Sequence, residues 1–256
     1  MAGAGDRRTL GFGVDIGGSG IKGAPVDLVG GGLAQPRVKL PTPQPSTPEA
    51  VAATVAQVVH SFAWAGPIGC TMPAVVTAGT VRTAANVDPT WIGTNAEQVL
   101  GGVTGLDVTA VNDADAAGLA EVAFGAARGQ AGLVIVVTLG TGIGTAVVHQ
   151  GRLLPNTELG HLEVDGHDAE SHAADAVRKR EGLGWKKWAK RLQGYFEALE
   201  RYFWPDLFVV GGGVSRKADK FLPLLSLRTP IVPARLQNDA GIVGAAALAA
   251  RRGGVP

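Results

Sequence analysis

Residues 10–27 read LGFGVDIGGSGIKGAPVD. Apolar residues dominate 10–15, an acid closes that run at Asp15, a glycine-rich turn follows, and a second run covers Ile21 to Asp27. Residues 18–23, GSGIKG, match G-x-G-x-x-G, but a dinucleotide fingerprint needs a helix to open inside the loop. Here Pro25 follows at once, and Gly30, Gly31 and Gly32 would fall within that helix. The spacing therefore predicts a β-hairpin. Walker A is absent because no Gly-Lys dipeptide occurs, and Ile21 stands where G-x-S-x-G needs its second glycine. Residues 134–151, VIVVTLGTGIGTAVVHQG, repeat the plan: an apolar strand, a glycine turn after Thr138, then a second strand. Two such units predict two related halves facing a shared cleft.

Further apolar runs predict strands at 80–83, 108–111, 207–210 and 230–234, and helical periodicity marks 49–64, 95–100, 113–124, 185–203 and 241–250. This alternation predicts layered α/β structure with a largely buried sheet. PTPQPSTP (41–48) reads as a surface connection, with Thr47 as N-cap and Pro48 at the first helical position. A chain of 256 residues makes one large domain or two small ones, and 46% apolar residues suffice for a core. A net charge of +1 argues against a chain that coats nucleic acid or a membrane surface. Cys70 is the lone cysteine, which excludes an intrachain disulfide and a cysteine-built zinc site. The first residues hold no apolar stretch fit for a signal peptide, and the run 240–250 is too short to span a bilayer. These features predict a soluble protein of a reducing compartment.

Asp15-Ile-Gly-Gly-Ser-Gly-Ile-Lys22 places an acid at a strand end beside a hydroxyl and a lysine. That suits a metal-bound phosphate: glycines let backbone N–H groups reach phosphate oxygens, Asp15 holds Mg²⁺ or its water shell, and Ser19 and Lys22 bond the anion. Thr138–Gly144 gives a second, uncharged nest, and Val209–Ser215 a third. Each loop alone reads equally as a plain turn; three at the ends of buried strands argue for phosphate. Val111-Asn112-Asp113 closes a strand and opens a helix, which suits Asp113 to accept a proton at a cleft mouth and also to cap that helix. Asp115 reads as structural. Glu158 and His161 offer an acceptor and a donor/acceptor suited to sugar hydroxyls. A rival reading gathers His161, His167 and His172 with Asp168 and Glu170 as a metal cluster, at a spacing that fits no ligand pattern well. His60 and His149 read as surface residues. Trp185, Trp188, Leu192, Phe196, Leu199 and Phe203 form one apolar stripe, read as core or dimer interface, with Lys186, Lys187 and Lys190 opposite and Arg178, Lys179 and Arg180 before them. This basic segment, 178–191, is either a solvated helix face or a track for a long polyanion.

DIGGSGIKG, VNDAD (111–115), TLGTGIG, ELGH (158–161) and VVGGGVS resemble the ROK sugar kinases of the actin/hexokinase superfamily. NVDPTW, ELGHLEVDGHDAE and RTPIVPARL…AGIVGAA are similar to the branch that uses polyphosphate to phosphorylate glucose. The resemblance covers about residues 10–250 in unbroken motif order. It implies a two-lobed actin/hexokinase-like (ribonuclease H-like) fold with an interlobe sugar cleft, the small lobe at 1–111 plus 239–256 and the large lobe at 112–238. It implies phosphoryl transfer from polyphosphate, and possibly ATP, to the 6-hydroxyl of glucose, the alternative being an ATP-only hexokinase for glucose, mannose or an amino sugar. By resemblance Asp113 is the base, and Asn112, Asp113, Glu158, His161 and Glu170 bind the sugar. The donor falls to Asp15, Gly17, Gly18, Ser19, Gly20 and Lys22, to Thr138, Gly140, Thr141 and Gly142, and to Gly211, Gly212 and Gly213. Mg²⁺ is the implied cofactor, reached by Asp15 through water. Zinc is not expected, since LEVDGHDA between His161 and Glu170 holds no cysteine. A cytoplasmic homodimer without nucleic-acid or membrane partners is implied. A ROK repressor would need a DNA-reading domain, and only 14 residues precede Asp15; a catalytically dead sensor would not need Asp113. Met72-Pro73-Ala74 stands where the family has Pro-Gly near the sugar, and Asn86 either touches the sugar or makes a turn.

Overall fold

The computed structural model describes residues 10–253. The start of the chain, where no signal peptide is expected, and residues 254–256 lie outside the described residues. The chain divides into two compact units, one running to Ala120 and resuming at Asp239, the other Glu121–Asn238.

The first unit holds β1 (Leu10–Gly17), β2 (Gly20–Asp27), β3 (Val38–Leu40), β4 (Ile68–Met72), the small ribbon of β5 (Val76–Thr77) and β6 (Thr80–Val81), and β7 (Val108–Asn112). Its helices are α1 (Pro48–His60), α2 (Ala96–Thr104) and the start of α3 (Asp113–Ala123). The second holds β8 (Leu133–Leu139), β9 (Ile143–His149), β10 (Arg152–Leu154), the ribbon of β11 (Glu163–Val164) and β12 (His167–Asp168), β13 (Leu207–Gly211) and β14 (Ile231–Pro233). Its helices are α4 (Ala169–Ala173), α5 (Asp175–Arg180) and α6 (Trp185–Phe203); α7 (Ala240–Arg252) returns to the first unit.

The sheets run β3-β2-β1-β4-β7 and β10-β9-β8-β13-β14. In each, a three-strand antiparallel meander is followed by two strands parallel to its first. The sequence echo between 10–27 and 134–151 is thus a duplicated topology. The first echo is a hairpin with Gly17 opposite Gly20 and Asp15 opposite Lys22, so the dinucleotide reading fails for the expected reason. Thr47 caps α1, its side chain accepting from the Ala50 N–H, with Pro48 in the first turn.

Each unit has its own core. Phe12, Val14, Val55, Ile68 and Trp91 fill the first, and Ile135, Trp188, Leu192, Phe196 and Phe208 the second. The α6 stripe, read from sequence as core or dimer interface, is therefore core within one chain. The closing helix α7 lies on the sheet at backbone distance. A Cβ at Gly13 would overlap the Ile242 carbonyl, one at Gly69 the Ala245 carbonyl, and one at Gly244 the Ala116 carbonyl of α3. This last contact, with Val111, Ala116 and Ala245 in one apolar cluster, keeps the start of α3 in the first unit. The boundary consequently falls after Ala120 rather than at 111/112. Among the described residues no helix is long and apolar enough to cross a membrane.

Gly69→Ala should destabilise the protein by about 3 kcal/mol or more, since overpacking against backbone leaves no flexible side chain to yield. Gly102→Ala, on an exposed turn of α2 with open space at its Cβ, should instead stabilise by about 0.5–1 kcal/mol through helix propensity. Denaturant midpoints of the two variants decide; an unshifted midpoint for Gly69→Ala contradicts the packing described.

Candidate active site

In the first unit the predicted phosphate residues cluster at the β1–β2 turn. Cross-strand pairing brings Lys22 Nζ to 2.7 Å from Asp15 Oδ2. Thr71, from β4, donates to Asp15 Oδ1 at 3.0 Å, and its hydroxyl accepts from the Ile16 N–H at 3.1 Å. The carboxylate is thus fixed from two sides, and Lys22 is an ion-pair partner as well as a candidate anion ligand. Gly18 and Ser19 form the exposed tip of the turn, while Gly17 and Gly20 close the ladder. The Thr42 hydroxyl donates to the Gly17 carbonyl. Asn86 lies beside Gly18, with its carbonyl 3.6 Å from where a Cβ on Gly18 would stand.

At the β7–α3 junction the two predicted residues separate in role. Asn112 is buried, and its Oδ1 accepts from the N–H groups of Ala114 at 2.9 Å and Asp115 at 3.0 Å, while Nδ2 donates to the Ala74 carbonyl at 3.1 Å. The amide is thus the cap of α3 and the tie to the 72–74 loop, so Asn112 orients this corner more than it offers a free hydrogen-bonding group. Asp113 is exposed, with Oδ1 accepting from the Ala114 N–H at 2.8 Å. The helix is capped by Asn112, which leaves the Asp113 carboxylate facing outward at the positive end of α3.

In the second unit Glu158, His161 and Glu170 come together. Glu158 precedes a 3-10 turn, Leu159–His161, that packs on β9, where a Cβ at Gly160 would overlap the Ile143 carbonyl. His161 Nδ1 lies 2.9 Å from Asp168 Oδ2, and that aspartate also caps α4 by accepting from the Ser171 N–H at 2.8 Å. This hydrogen bond, with the negative charges of Glu170, Asp168 and Glu158, raises the His161 pKa above its ordinary value. Glu158 is pushed up as well, by partial loss of water and by Glu170, against the opposing pull of His161. Hydrogen bonds from Ser171 and His161 outweigh desolvation and hold Asp168 below the usual carboxylate range. Sequence reasoning counted Asp168 only in the rival metal cluster. Its partnership with His161 depends on the β11–β12 ribbon folding 168 back onto 161, which no spacing rule reveals. Among the described residues, no three or more His, Cys, Asp or Glu are grouped to hold a metal ion. His167 and His172 instead stack on each other, centroids 4.5 Å apart.

Glu170 also serves the second glycine loop. Its Oε2 accepts from the Ile143 N–H at 2.7 Å, and the carboxylate occupies the space a Cβ on Gly142 would need. The Gly140 N–H is bonded to the Gly142 carbonyl at 3.0 Å, and the Gly140 carbonyl accepts from the Ala176 N–H at 3.0 Å. Gly140 and Gly142, which the sequence reading assigns to binding the phosphate donor, also shape this loop from inside; Thr141 is its exposed tip. The third loop adjoins it, with Gly211 in register with Thr138. Gly212 has φ +78° and would overlap the Leu139 backbone if it carried a Cβ, and Gly213 is exposed.

A profile of the ROK family matches residues 11–178. A polyphosphate glucokinase of Mycobacterium tuberculosis is 60% identical over 237 residues, covering 92% of this chain and 89% of the relative. The inorganic polyphosphate/ATP-glucomannokinase of Arthrobacter sp. strain KM is similar in structure with TM-score 0.92, at 51% identity over 95% of this chain and 99% of that one. A ROK family glucokinase of Streptomyces griseus, solved in complex with glucose and AMPPNP, matches with TM-score 0.83 and 25% identity over 94% and 99%. With these relatives and its paired α/β sheets, the chain has an actin/hexokinase-like fold and belongs to the ROK family.

Proposed function

We propose that this protein transfers the terminal phosphoryl group of inorganic polyphosphate, with ATP as a second donor, to the 6-hydroxyl of glucose. One observation carries the reading: in a chain 60% identical to a polyphosphate glucokinase, the β7–α3 corner presents Asp113 as an exposed carboxylate on a helix already capped by Asn112. The sugar oxygen bonds to phosphorus as the bond from phosphorus to the bridging oxygen breaks. Asp113 takes the hydroxyl proton, and the donor leaves one phosphate shorter. Such a reaction asks the protein for position and charge neutralisation more than covalent chemistry.

In the second unit Glu158 and His161 bond sugar hydroxyls, with Asp168 holding the imidazole. Glu170 has one carboxylate oxygen committed to Ile143 and offers the other. On the donor side, the Asp15 carboxylate is partly exposed and carries one donor on each oxygen, leaving lone pairs to accept from metal-bound water. Mg²⁺ held this way would neutralise charge on the donor phosphates. Location in the cytoplasm accords with the lone buried thiol Cys70. A homodimer accords with Tyr202 and Trp204, 65% and 68% exposed at the end of α6, where association would cover aromatic surface.

Glucose 6-phosphate formation by the purified protein should proceed with long-chain polyphosphate and with ATP, each in excess Mg²⁺. Activity with ATP alone would replace this reading by an ATP-dependent hexokinase. Asp113→Asn should lower turnover by about 10²- to 10⁴-fold with glucose binding retained, as read by calorimetry beside initial rates; near wild-type turnover removes Asp113 as the base. His161 should titrate above its ordinary value of about 6.5 in an NMR pH series. A histidine pKa raised by folding means the protonated pair stabilises the fold fully below the unfolded value, and that this contribution is lost as pH rises through the folded one. Asp168→Asn should bring the titration down toward the ordinary value, and a midpoint indifferent to that change would contradict the assigned pair.

A further inference from the structure

We propose that the second unit carries an extended polyphosphate track, formed where two basic segments distant in sequence meet at Trp185. The inference rests on the polyphosphate reading above and names the surface that would serve it. The first segment is the 3-10 stretch Gly213–Lys220, which begins as β13 ends in its glycines and presents Arg216, Lys217 and Lys220 to solvent. The second runs through α5 into the first turns of α6. The two converge on one indole: Arg178 Cζ lies 4.2 Å from the Trp185 ring centroid and Lys220 Nζ lies 6.0 Å from it. Basic residues therefore run from the Gly211–Gly213 loop along the 213–220 stretch to Trp185, and Lys186 and Lys187 follow that residue in the first turn of α6 on its exposed side.

The acids nearby are fewer than the cations, and the ion pairs they form are with residues 178–180 and 191. Asp175 is engaged by Arg178 and Lys179, each at 2.7 Å. Glu181 is engaged by Arg191 at 2.7 Å and Arg180 at 3.8 Å, and Asp219 stands exposed between Lys217 and Lys220. Among the described residues, Lys186, Lys187, Lys190, Arg216, Lys217 and Lys220 form no ion pair. Lys186 and Lys187 also stand in the first turn of α6, where the helix macrodipole disfavours cations. A nearly neutral protein thus gathers exposed cations that form no ion pair on two segments that meet at Trp185. The occupant that fits is a flexible polyanion with one charge per repeat and no base. Nucleic acid fits less well, because a base needs an open aromatic face, whereas Trp185 is stacked against Phe221 and covered by Arg178.

Two double variants test this: Arg216→Gln with Lys217→Gln, and Lys186→Gln with Lys187→Gln. Each should raise the KM for polyphosphate of hundreds of units about five- to tenfold. KM for tripolyphosphate and for ATP should stay within about twofold, since a three-phosphate donor reaches fewer of these cations. The slope of log KM against log salt for the long chain should shrink by about 1.4 for each pair lost. Fluorescence titration with long polyphosphate, without glucose, should show the same weakening. Wild-type enzyme active with ATP but not polyphosphate would overturn the donor reading itself. Wild-type use of polyphosphate with both variants unchanged would overturn the track alone. So would equal losses with ATP, or competition by single-stranded RNA as strong as by polyphosphate.

Discussion

Helix α7 meets the sheet at backbone distance where β1 and β4 carry glycine, and it meets α3 the same way. Gly13 in β1, Gly69 in β4 and Gly244 in α7 itself each stand where a single methyl group would overlap a backbone carbonyl. This approach positions much of the first unit's chemistry. Gly241, at the start of α7, lies against Asp15, with a Cβ there only 3.3 Å from the carboxyl carbon. Asp15 is therefore held between the helix start, Lys22 and Thr71, with little room to turn. Through Ala116 the same helix holds α3, and so the Asn112–Asp113 corner. Asp15 and the Asn112–Asp113 corner are thus both positioned by one close-packed helix.

The second unit uses one residue in a comparable way. Ile143 opens β9, with its N–H bonded to Glu170 and its carbonyl against Gly160. The glycine loop 140–142 and the Glu158–His161 turn therefore share an anchor. A single residue thus ties the Leu159–His161 turn to the Gly140–Gly142 loop. Gly142 is small because a carboxylate occupies its side-chain space, and Gly160 because a carbonyl does. Neither glycine is there for flexibility.

The hairpins and α6 were legible in sequence because their signals are local, and the candidate residues were named from motifs on those elements. Alternating apolar runs, a proline in the second strand and a helical stripe at 185–203 each imply one answer. The central strand β4 was not legible. Its five residues, Ile-Gly-Cys-Thr-Met, make a short run, and Gly69, which admits the α7 backbone, and Thr71 break its apolar signature. With β4 unread, Thr71 as a partner of Asp15 was out of reach. Asn112 was read as a sugar ligand, and the structure adds that it caps α3, which depends on which side chain turns back over the first helical turn. The His161–Asp168 pair was hidden for another reason: it is made by a two-strand ribbon that closes seven residues into contact.

Titration behaviour is a poor guide to where the chemistry lies in this molecule. Cys70 is pushed up to about 12, and Tyr195 is raised further still, each chiefly because burial disfavours its charged form. Both are core residues, Cys70 on the strand beneath α7 and Tyr195 within α6. Strongly perturbed groups mark catalytic sites when an enzyme must hold an acid and a base ready at one pH. Phosphoryl transfer makes a smaller demand: one carboxylate near the hydroxyl, and cations and amides along the donor. A surface carboxylate such as Asp113 meets that demand if its backbone is held still. The fold accordingly puts its tightest constraints into the glycine contacts, the Asn112 cap and the Glu170 tie, while Asp113 stays exposed.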